Sequence, residues 1–340
     1  MSQNRIVTKQ KLLNEKGLLA TPGFATAPLL LYDRSQIAAS KWRIKEWDYY
    51  ATLTSDYGVA FVVSDLGYSA MISAVFLDFK TGKYQHKTKL NWFPFGKLRL
   101  PGSSEFGDVH FHQKEYDFSF VRTPDKRIIT VDIQDFLPGE RFHAELIMDD
   151  LKDDSIVIAT PWLKKPKAFY YNQKINCMPT EGIVTIGKAS YPFRKNTAFS
   201  VLDWGRGVWT YKNTWYWASL SGLVGGKRLG MNLGYGFGDT SHATENMIFY
   251  DGKAHKLDQV TFLIQEPDFM KPWKFQDNEH RLDLTMEPLL DRQDTMNLGI
   301  IKNLGHQVFG MFSGFVVLDD GTRIAFDKII GFAEKITNHY

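Results

Sequence analysis

Alternation with a period of two runs along most of this chain, and a period of two confines the backbone to strands. Tyr49-Ala-Thr-Leu-Thr, Gly182-Ile-Val-Thr-Ile, Asn246-Met-Ile-Phe-Tyr and Gly314-Phe-Val-Val-Leu all place β-branched or aromatic side chains at every second position. Turn signals at Thr81-Gly82, Gly187-Lys188, Gly225-Gly226, Asp251-Gly252 and Asp320-Gly321 join such runs at hairpin spacing. A meander of many short hairpins predicts an all-β barrel or sandwich. No run carries the caps and length of a three-turn helix; residues 5–16 and 268–273 have room for a turn or so.

A chain of 340 residues exceeds one ordinary core. The expected organisation is therefore an arm over 1–28, a first antiparallel β-barrel over 29–165 and a second over 166–340. The Pro161-Trp-Leu-Lys-Lys-Pro-Lys167 cluster is the expected linker. A loose internal rhyme supports tandem barrels over one large sandwich: Glu46-Trp47-Asp48-Tyr49-Tyr50 and the hairpins after it parallel Trp215-Tyr-Trp217 and the hairpins after it. In the first half that opening strand is expected to be structural.

Charge excludes one class of partner. Lys and Arg total 41 against 38 Asp and Glu, and no block of like charge forms a phosphate-tracking stripe, so nucleic acid is not expected. The start lacks an uninterrupted apolar segment and no apolar run approaches a membrane span, which predicts a soluble, cytoplasmic protein. Peripheral contact with a bilayer through Leu29-Leu30-Leu31 is the one membrane role considered. A single cysteine, Cys177, excludes an internal disulfide. The two imidazoles of His110 and His112 share a strand face but have no third ligand at fitting spacing, so no metal is expected. No cofactor is expected either, and the sequence does not set the oligomeric state.

Aromatic residues make up 14% of the chain, enough to fill cores and still line a cavity. Four of the nine Trp (Trp204, Trp209, Trp215 and Trp217) crowd around Asp203 and Arg206. A carboxyl buried among indoles is how an acid is kept neutral at working pH, which makes Asp203 a candidate proton donor. A guanidinium in contact would oppose that, so a structural ion pair with Arg206 is the alternative. Gly205 and Gly207 suggest a bulge that brings the two side chains together and aims Arg206 at the polar head of an apolar ligand.

Three further polar residues, His242, Glu245 and Asn246, follow a glycine run and form a candidate polar end of a pocket; tying down a loop is the alternative. The glycine run lacks the spacing and the flanking strand and helix of a dinucleotide loop. His306 is a candidate proton partner and Gln307 a candidate ligand contact, with a backbone-bonded core His as the alternative. Nothing supports acyl or phosphoryl transfer.

The motifs Ala198-Phe-Ser-Val-Leu-Asp-Trp-Gly-Arg-Gly-Val-Trp209, Gly230-Met-Asn-Leu-Gly234, Thr244-Glu245-Asn246, His306-Gln-Val-Phe-Gly310 and Gly331-Phe-Ala-Glu334 resemble the bacterial and protist family catalogued as domain of unknown function 2804. More distantly, Glu46 to Tyr50, Tyr170-Tyr171 and the segment through Asp203 and Gly207 resemble the tandem lipocalin-like proteins that include carotenoid 1,2-hydratase. That resemblance implies two calycin-type barrels and an acidic pocket residue at Asp203. The chain departs from the pattern at Val201-Leu202, where Tyr-His stands, and at Arg206, where Trp stands; Trp204 or Trp209 would have to supply the missing aromatic face.

The functions consistent with these residues are binding of a hydrophobic small molecule of fatty acyl, isoprenoid or polyketide type, or acid-assisted hydration, isomerisation or cyclisation of such a molecule. A structural protein with filled barrels is the third. The cavity is expected in the second barrel or at the seam between the two.

Overall fold

Each alternating run becomes a strand because one of its faces meets an apolar partner. The computed structural model describes residues 3–298 and 301–339. Short strands β1 (Gln10–Lys11), β2 (Gly23–Ala25) and β3 (Leu30–Leu31) belong to an N-terminal strap. A meander follows: β4 (Ile44–Leu53), β5 (Tyr57–Asp65), β6 (Ser69–Asp78), β7 (Lys83–Trp92), β8 (Val109–Gln113), β9 (Tyr116–Arg122), β10 (Lys126–Leu137) and β11 (Glu140–Asp149). Next come β12 (Ile156–Pro161), β13 (Phe169–Ile186), β14 (Ala189–Phe193) and β15 (Phe199–Val208). The remainder is β16 (Lys212–Val224), β17 (Lys227–Tyr235), β18 (Met247–Tyr250), β19 (Lys253–Lys256), β20 (Val260–Leu263), β21 (Trp273–Asp277), β22 (Leu282–Leu298), β23 (Ile301–Val317) and β24 (Arg323–His339).

These strands form two large antiparallel sheets. The first runs β7-β6-β5-β4-β15-β13-β11-β10-β9-β8, with β12 and β14 attached to β13 and β2 attached to β12. It curls on itself: Phe61 of β5 meets Phe142 of β11 at 6.0 Å, and Asn91 on edge strand β7 donates to Gln113 on edge strand β8 at 2.9 Å. The second runs β19-β18-β17-β16-β24-β23-β22-β21-β20 and curls likewise, with Tyr235 of β17 against Phe262 of β20 at 5.3 Å. Among the described residues the only helical segments are the 3-10 turns Arg34–Gln36 and Lys41–Arg43. Residues 5–16 are not helical: Arg5 bridges to Phe24, and Gln10 pairs with Leu30.

The sheets change between Val208 and Lys212, not at Pro161–Lys167. The strands flanking the Pro/Lys cluster pair with each other, from Ile156↔Lys174 to Pro161↔Phe169, so the cluster is a connection inside the first sheet. β15 must follow because it bridges β4 and β13, the centre of that sheet. The N-terminal strap is also packed down rather than free: Leu30 is buried, and its carbonyl accepts the Tyr171 hydroxyl at 2.7 Å.

Alternation sorts the apolar residues into three clusters. Phe61, Ile72, Phe118, Phe142, Leu202 and Trp204 fill the first barrel. Leu220, Leu229, Trp273, Phe275, Val308 and Phe312 fill the second. The third lies between the sheets and includes Tyr170, Val201, Trp209, Trp217, Phe237 and Phe332. A bulge in β13 between Ile175 and Met178 docks the barrels, because Asn176 Nδ2 reaches Ser219 Oγ at 2.8 Å and the Met231 carbonyl at 3.1 Å. Gly230 makes room there: a Cβ on it would stand 2.5 Å from Cys177 Sγ.

Candidate functional site

The cavity sits at the seam. It encloses about 410 Å³ between the outer face of the first sheet and the second sheet, within the size range of small-molecule sites. Trp47, Tyr49, Tyr170, Trp209, Trp215 and Trp217 form its aromatic wall. The two sequences that rhyme face each other here, with Tyr49 of β4 and Trp217 of β16 at 6.1 Å. Gly205 permits this wall, since a Cβ on it would lie 2.0 Å from the Trp47 ring.

Lys174, Asp203, Glu334 and Arg292 belong to the cavity's polar lining, and Glu245 joins them through Lys174. Lys174 of β13 is opposite Asp203 of β15 in the ladder, and both face the seam. Its ammonium lies 3.3 Å from Asp203 Oδ1, 3.7 Å from Glu245 Oε2 and 3.2 Å from the Tyr170 hydroxyl. It also stands 4.3 Å over the Trp217 ring, a cation–π contact in a desolvated setting. Asn172 donates to Asp203 Oδ1 at 2.5 Å. The Tyr170 hydroxyl donates to Glu245 Oε2 at 3.3 Å, while Glu245 Oε1 has no hydrogen-bond partner among the described residues. Gly234 leaves space for that carboxyl, for a Cβ there would fall 2.0 Å from Oε1.

Glu334 of β24 is the third acid. Trp215 Nε1 donates to its Oε1 at 2.9 Å and Gln307 Nε2 to its Oε2 at 3.2 Å. Gln307 also contacts the Tyr49 hydroxyl at 3.3 Å and accepts from Arg292 at 3.2 Å. Burial pushes the Glu334 carboxyl up to about 7, reinforced by the Asp203 charge and opposed by the Trp215 hydrogen bond and the Lys174 charge. Burial also raises Glu245, against the pull of Lys174. Burial and the neighbouring Asp203 charge hold Glu245 and Glu334 toward the protonated form, against the pull of Lys174, Lys256 and Arg292.

The structure separates several residues that the sequence grouped. Asp203 and Arg206 do not pair. The β4–β15 register is unbroken from Phe199↔Leu53 to Val208↔Ile44, so strict alternation puts them on opposite faces. Arg206 is fully buried inside the first barrel, bonded to Asp48 at 2.8 Å and to the carbonyls of Trp47 and Pro101, with Trp204 4.2 Å beneath it. Neither Arg206 nor Trp204 lines the seam cavity; Trp209, Trp215, Trp217, Asp203 and Gln307 do.

Glu245 reaches the cluster through Lys174, but its neighbours do not. Asn246 accepts from Gly234 N and donates to the Asp258 carbonyl, both at 2.8 Å, which is a loop-fixing role. His242 is exposed, with its carbonyl accepting from Asn4 N. His306 turns away from the cavity, bonded to Asp291 at 2.8 Å and stacked on Phe269 at 3.7 Å. Among the described residues no group of three His, Cys, Asp or Glu could hold a metal ion.

Sequence reasoning missed Lys174, Tyr170 as a site residue, Glu334 and Arg292. Glu334 stood inside a quoted motif, and Lys174 carries a legible signal: it shares a strand face with Tyr170 and Asn172 in a run otherwise buried.

A family model described as "Domain of unknown function (DUF2804)" matches residues 3–340. Among solved structures, the chain is similar to a putative AttH from Nitrosomonas europaea, with 15% identity, a TM-score of 0.53, and coverage of 93% of this chain and 99% of that one. It is also similar to kievitone hydratase from Nectria haematococca, with 11% identity, a TM-score of 0.47, and coverage of 97% and 98%. No curated protein matches the chain. The fold is the tandem lipocalin-like one of the Nitrosomonas europaea neighbour.

Proposed function

We propose, on the premise that this chain belongs to the DUF2804 family, that it takes an apolar, unsaturated small molecule into the seam cavity and moves a proton on it. The observation carrying this reading is the acid cluster at Lys174, where Asp203 and Glu245 flank the ammonium and the raised Glu334 carboxyl lies in the same aromatic-walled cavity. Glu334 is suited to give a proton to one carbon of a double bond, because its carboxyl titrates near neutral pH. Asp203, held by Asn172 and Lys174, is suited to take a proton from a neighbouring carbon. The net change is isomerisation, with atoms and charge conserved. Attack by water on the carbocation left by protonation, with Asp203 taking the water's proton, would give hydration instead. The indole faces of Trp215 and Trp217 supply quadrupole stabilisation to positive charge in either case.

Carriage of such a molecule without chemistry is the rival supported by the same wall. Filled barrels alone leave the 410 Å³ seam unexplained.

The test begins with native mass spectrometry of protein purified from its own host, organic extraction, and identification of the released molecule. Returning that molecule to stripped protein in D2O should build deuterium into it, and Glu334→Gln should bind it with exchange reduced at least about a hundredfold. Binding without deuterium gain would establish carriage. Absence of any stoichiometric apolar molecule would overturn the proposal.

A further inference from the structure

Near one end of the seam cavity the surface departs from what a water-facing sheet edge requires. Trp42, Trp92 and Phe93 are about half exposed, at 51%, 53% and 50%. They form one cluster with Phe95: Trp42 to Phe93 at 5.5 Å, Trp42 to Phe95 at 4.9 Å and Trp92 to Phe93 at 6.3 Å. Contiguous aromatic exposure of this kind marks an interaction surface rather than scattered apolar residues.

The backbone is built to present it. Phe93 and Phe95 have positive φ of 58° and 51°, a region bulky residues avoid. Asp65, fully buried, fixes the loop by accepting from Gly67 N at 2.9 Å and Gly96 N at 2.6 Å, and Phe93 N donates to the Tyr68 carbonyl at 2.8 Å. The rings are therefore held outward by a rigid frame.

Charge indicates what covers them. From Trp92 to Ser104 the chain contains Lys97 and Arg99 and no acidic residue, and Lys41 and Arg43 flank Trp42 with no acidic residue between Lys41 and Glu46. Lys41, Lys97 and Arg99 are exposed and form no salt bridge among the described residues. Exposed indole and phenyl rings close in sequence to the exposed Lys41, Lys97 and Arg99 match the headgroup boundary of an anionic bilayer.

We infer that the Trp42–Trp92–Phe93–Phe95 cluster docks on the surface of an anionic lipid bilayer. Its frame is shared with the cavity, since Lys45 bonds the carbonyls of Trp42 and Leu66, and Lys45, Leu66, Tyr68 and Leu90 line the seam. Docking therefore sets that end of the cavity against lipid, the source of an apolar ligand; this second step rests on the function proposed above. The site differs from the Leu29-Leu30-Leu31 arm, which the strap buries in part.

Flotation with phosphatidylcholine vesicles, with and without phosphatidylserine, tests docking by itself and needs no ligand. The full chain should float with the phosphatidylserine vesicles only and be released by added salt. Reversing Lys41, Lys97 and Arg99 to Glu should weaken binding by about a hundredfold. Trp92→Ser with Phe93→Ser should abolish it with unchanged thermal unfolding. Failure of the wild type to float, or equal flotation of these variants, would overturn the inference, and capture of a protein by the cluster in place of vesicles would do the same. Deuterium exchange by Glu334 is read independently, so either proposal can fall alone.

Discussion

Lys174 and Asp203 are cross-strand partners in the β13–β15 ladder, and the ammonium of the first lies 3.3 Å from the carboxylate of the second. Lys174 is nearly inaccessible, its side chain only 1% exposed. Asp203, Glu245 and the Trp217 face together take the place of its hydration. The same ammonium holds the nearby acids in check, so cavity charge and fold stability are coupled at this one side chain.

Removing that charge should expose the coupling. Lys174→Met leaves Asp203, Glu245 and Glu334 without their shared cation and should cost about 3–5 kcal/mol at neutral pH. The loss should shrink on acidification, because carboxyls whose folded pKa values rise are destabilising only where they are ionised. Urea unfolding of wild type and variant at neutral pH and near pH 5 checks this. A loss that is the same at both would show that Lys174 acts through packing.

Glu334 gives a second pH-dependent expectation with a definite sign. Its carboxyl is raised from 4.5 to about 7, so between those values the folded state binds more protons than the unfolded state. Stability contributed by this group is present below pH 4.5 and falls as pH rises through 7. Glu334→Gln does not titrate, so its stability relative to wild type should improve by about 3 kcal/mol across that window. Denaturation series at closely spaced pH values measure the change directly. A constant offset between the two proteins would refute a raised carboxyl.

Local pattern carried the architecture, and long-range pairing hid much of the site. Period-two runs and glycine turns were enough for an all-β barrel or sandwich, length and the internal rhyme favoured two barrels, and the Trp-rich segment pointed to Asp203. The spacing of Asp203 and Arg206 already implied opposite faces, but Gly205 and Gly207 suggested a bulge. Their actual reason is not local: they clear space for the Trp47 ring and the Phe169 carbonyl on neighbouring strands. Glu334 meets Trp217 only because β24 pairs with β16 across more than a hundred residues of chain. Lys174 shares a strand face with Tyr170 and Asn172, a pattern that marks the face but not the second sheet that covers it.

Arg206 should behave as a folding residue. It is enclosed by Asp48, the backbone carbonyls of Trp47 and Pro101, and Trp204, on the face of the sheet away from the seam. Arg206→Met strands Asp48 and should cost about 3–5 kcal/mol, whereas Arg206→Met with Asp48→Leu should recover much of it. A double-mutant cycle by chemical denaturation reports the coupling. Ligand release from the folded double variant should match wild type; a lost ligand in a stable double variant would return Arg206 to the site.

Gly205 tests whether the aromatic wall depends on a missing side chain. Its backbone is ordinary strand, so Ala is tolerated locally, yet the new Cβ would meet Trp47 at 2.0 Å. That ring sits between Tyr170 at 6.4 Å and Trp209 at 5.7 Å, and the space open to it is the cavity. Gly205→Ala should therefore cost about 1–3 kcal/mol by overpacking and close part of the seam. Pairing it with Trp47→Leu removes the colliding edge and should restore most of the stability while enlarging the cavity. Thermal unfolding of the two single variants and the double separates the effects: if Gly205→Ala costs as much in the Trp47→Leu background as it does with Trp47 in place, the glycine serves the backbone and not the wall.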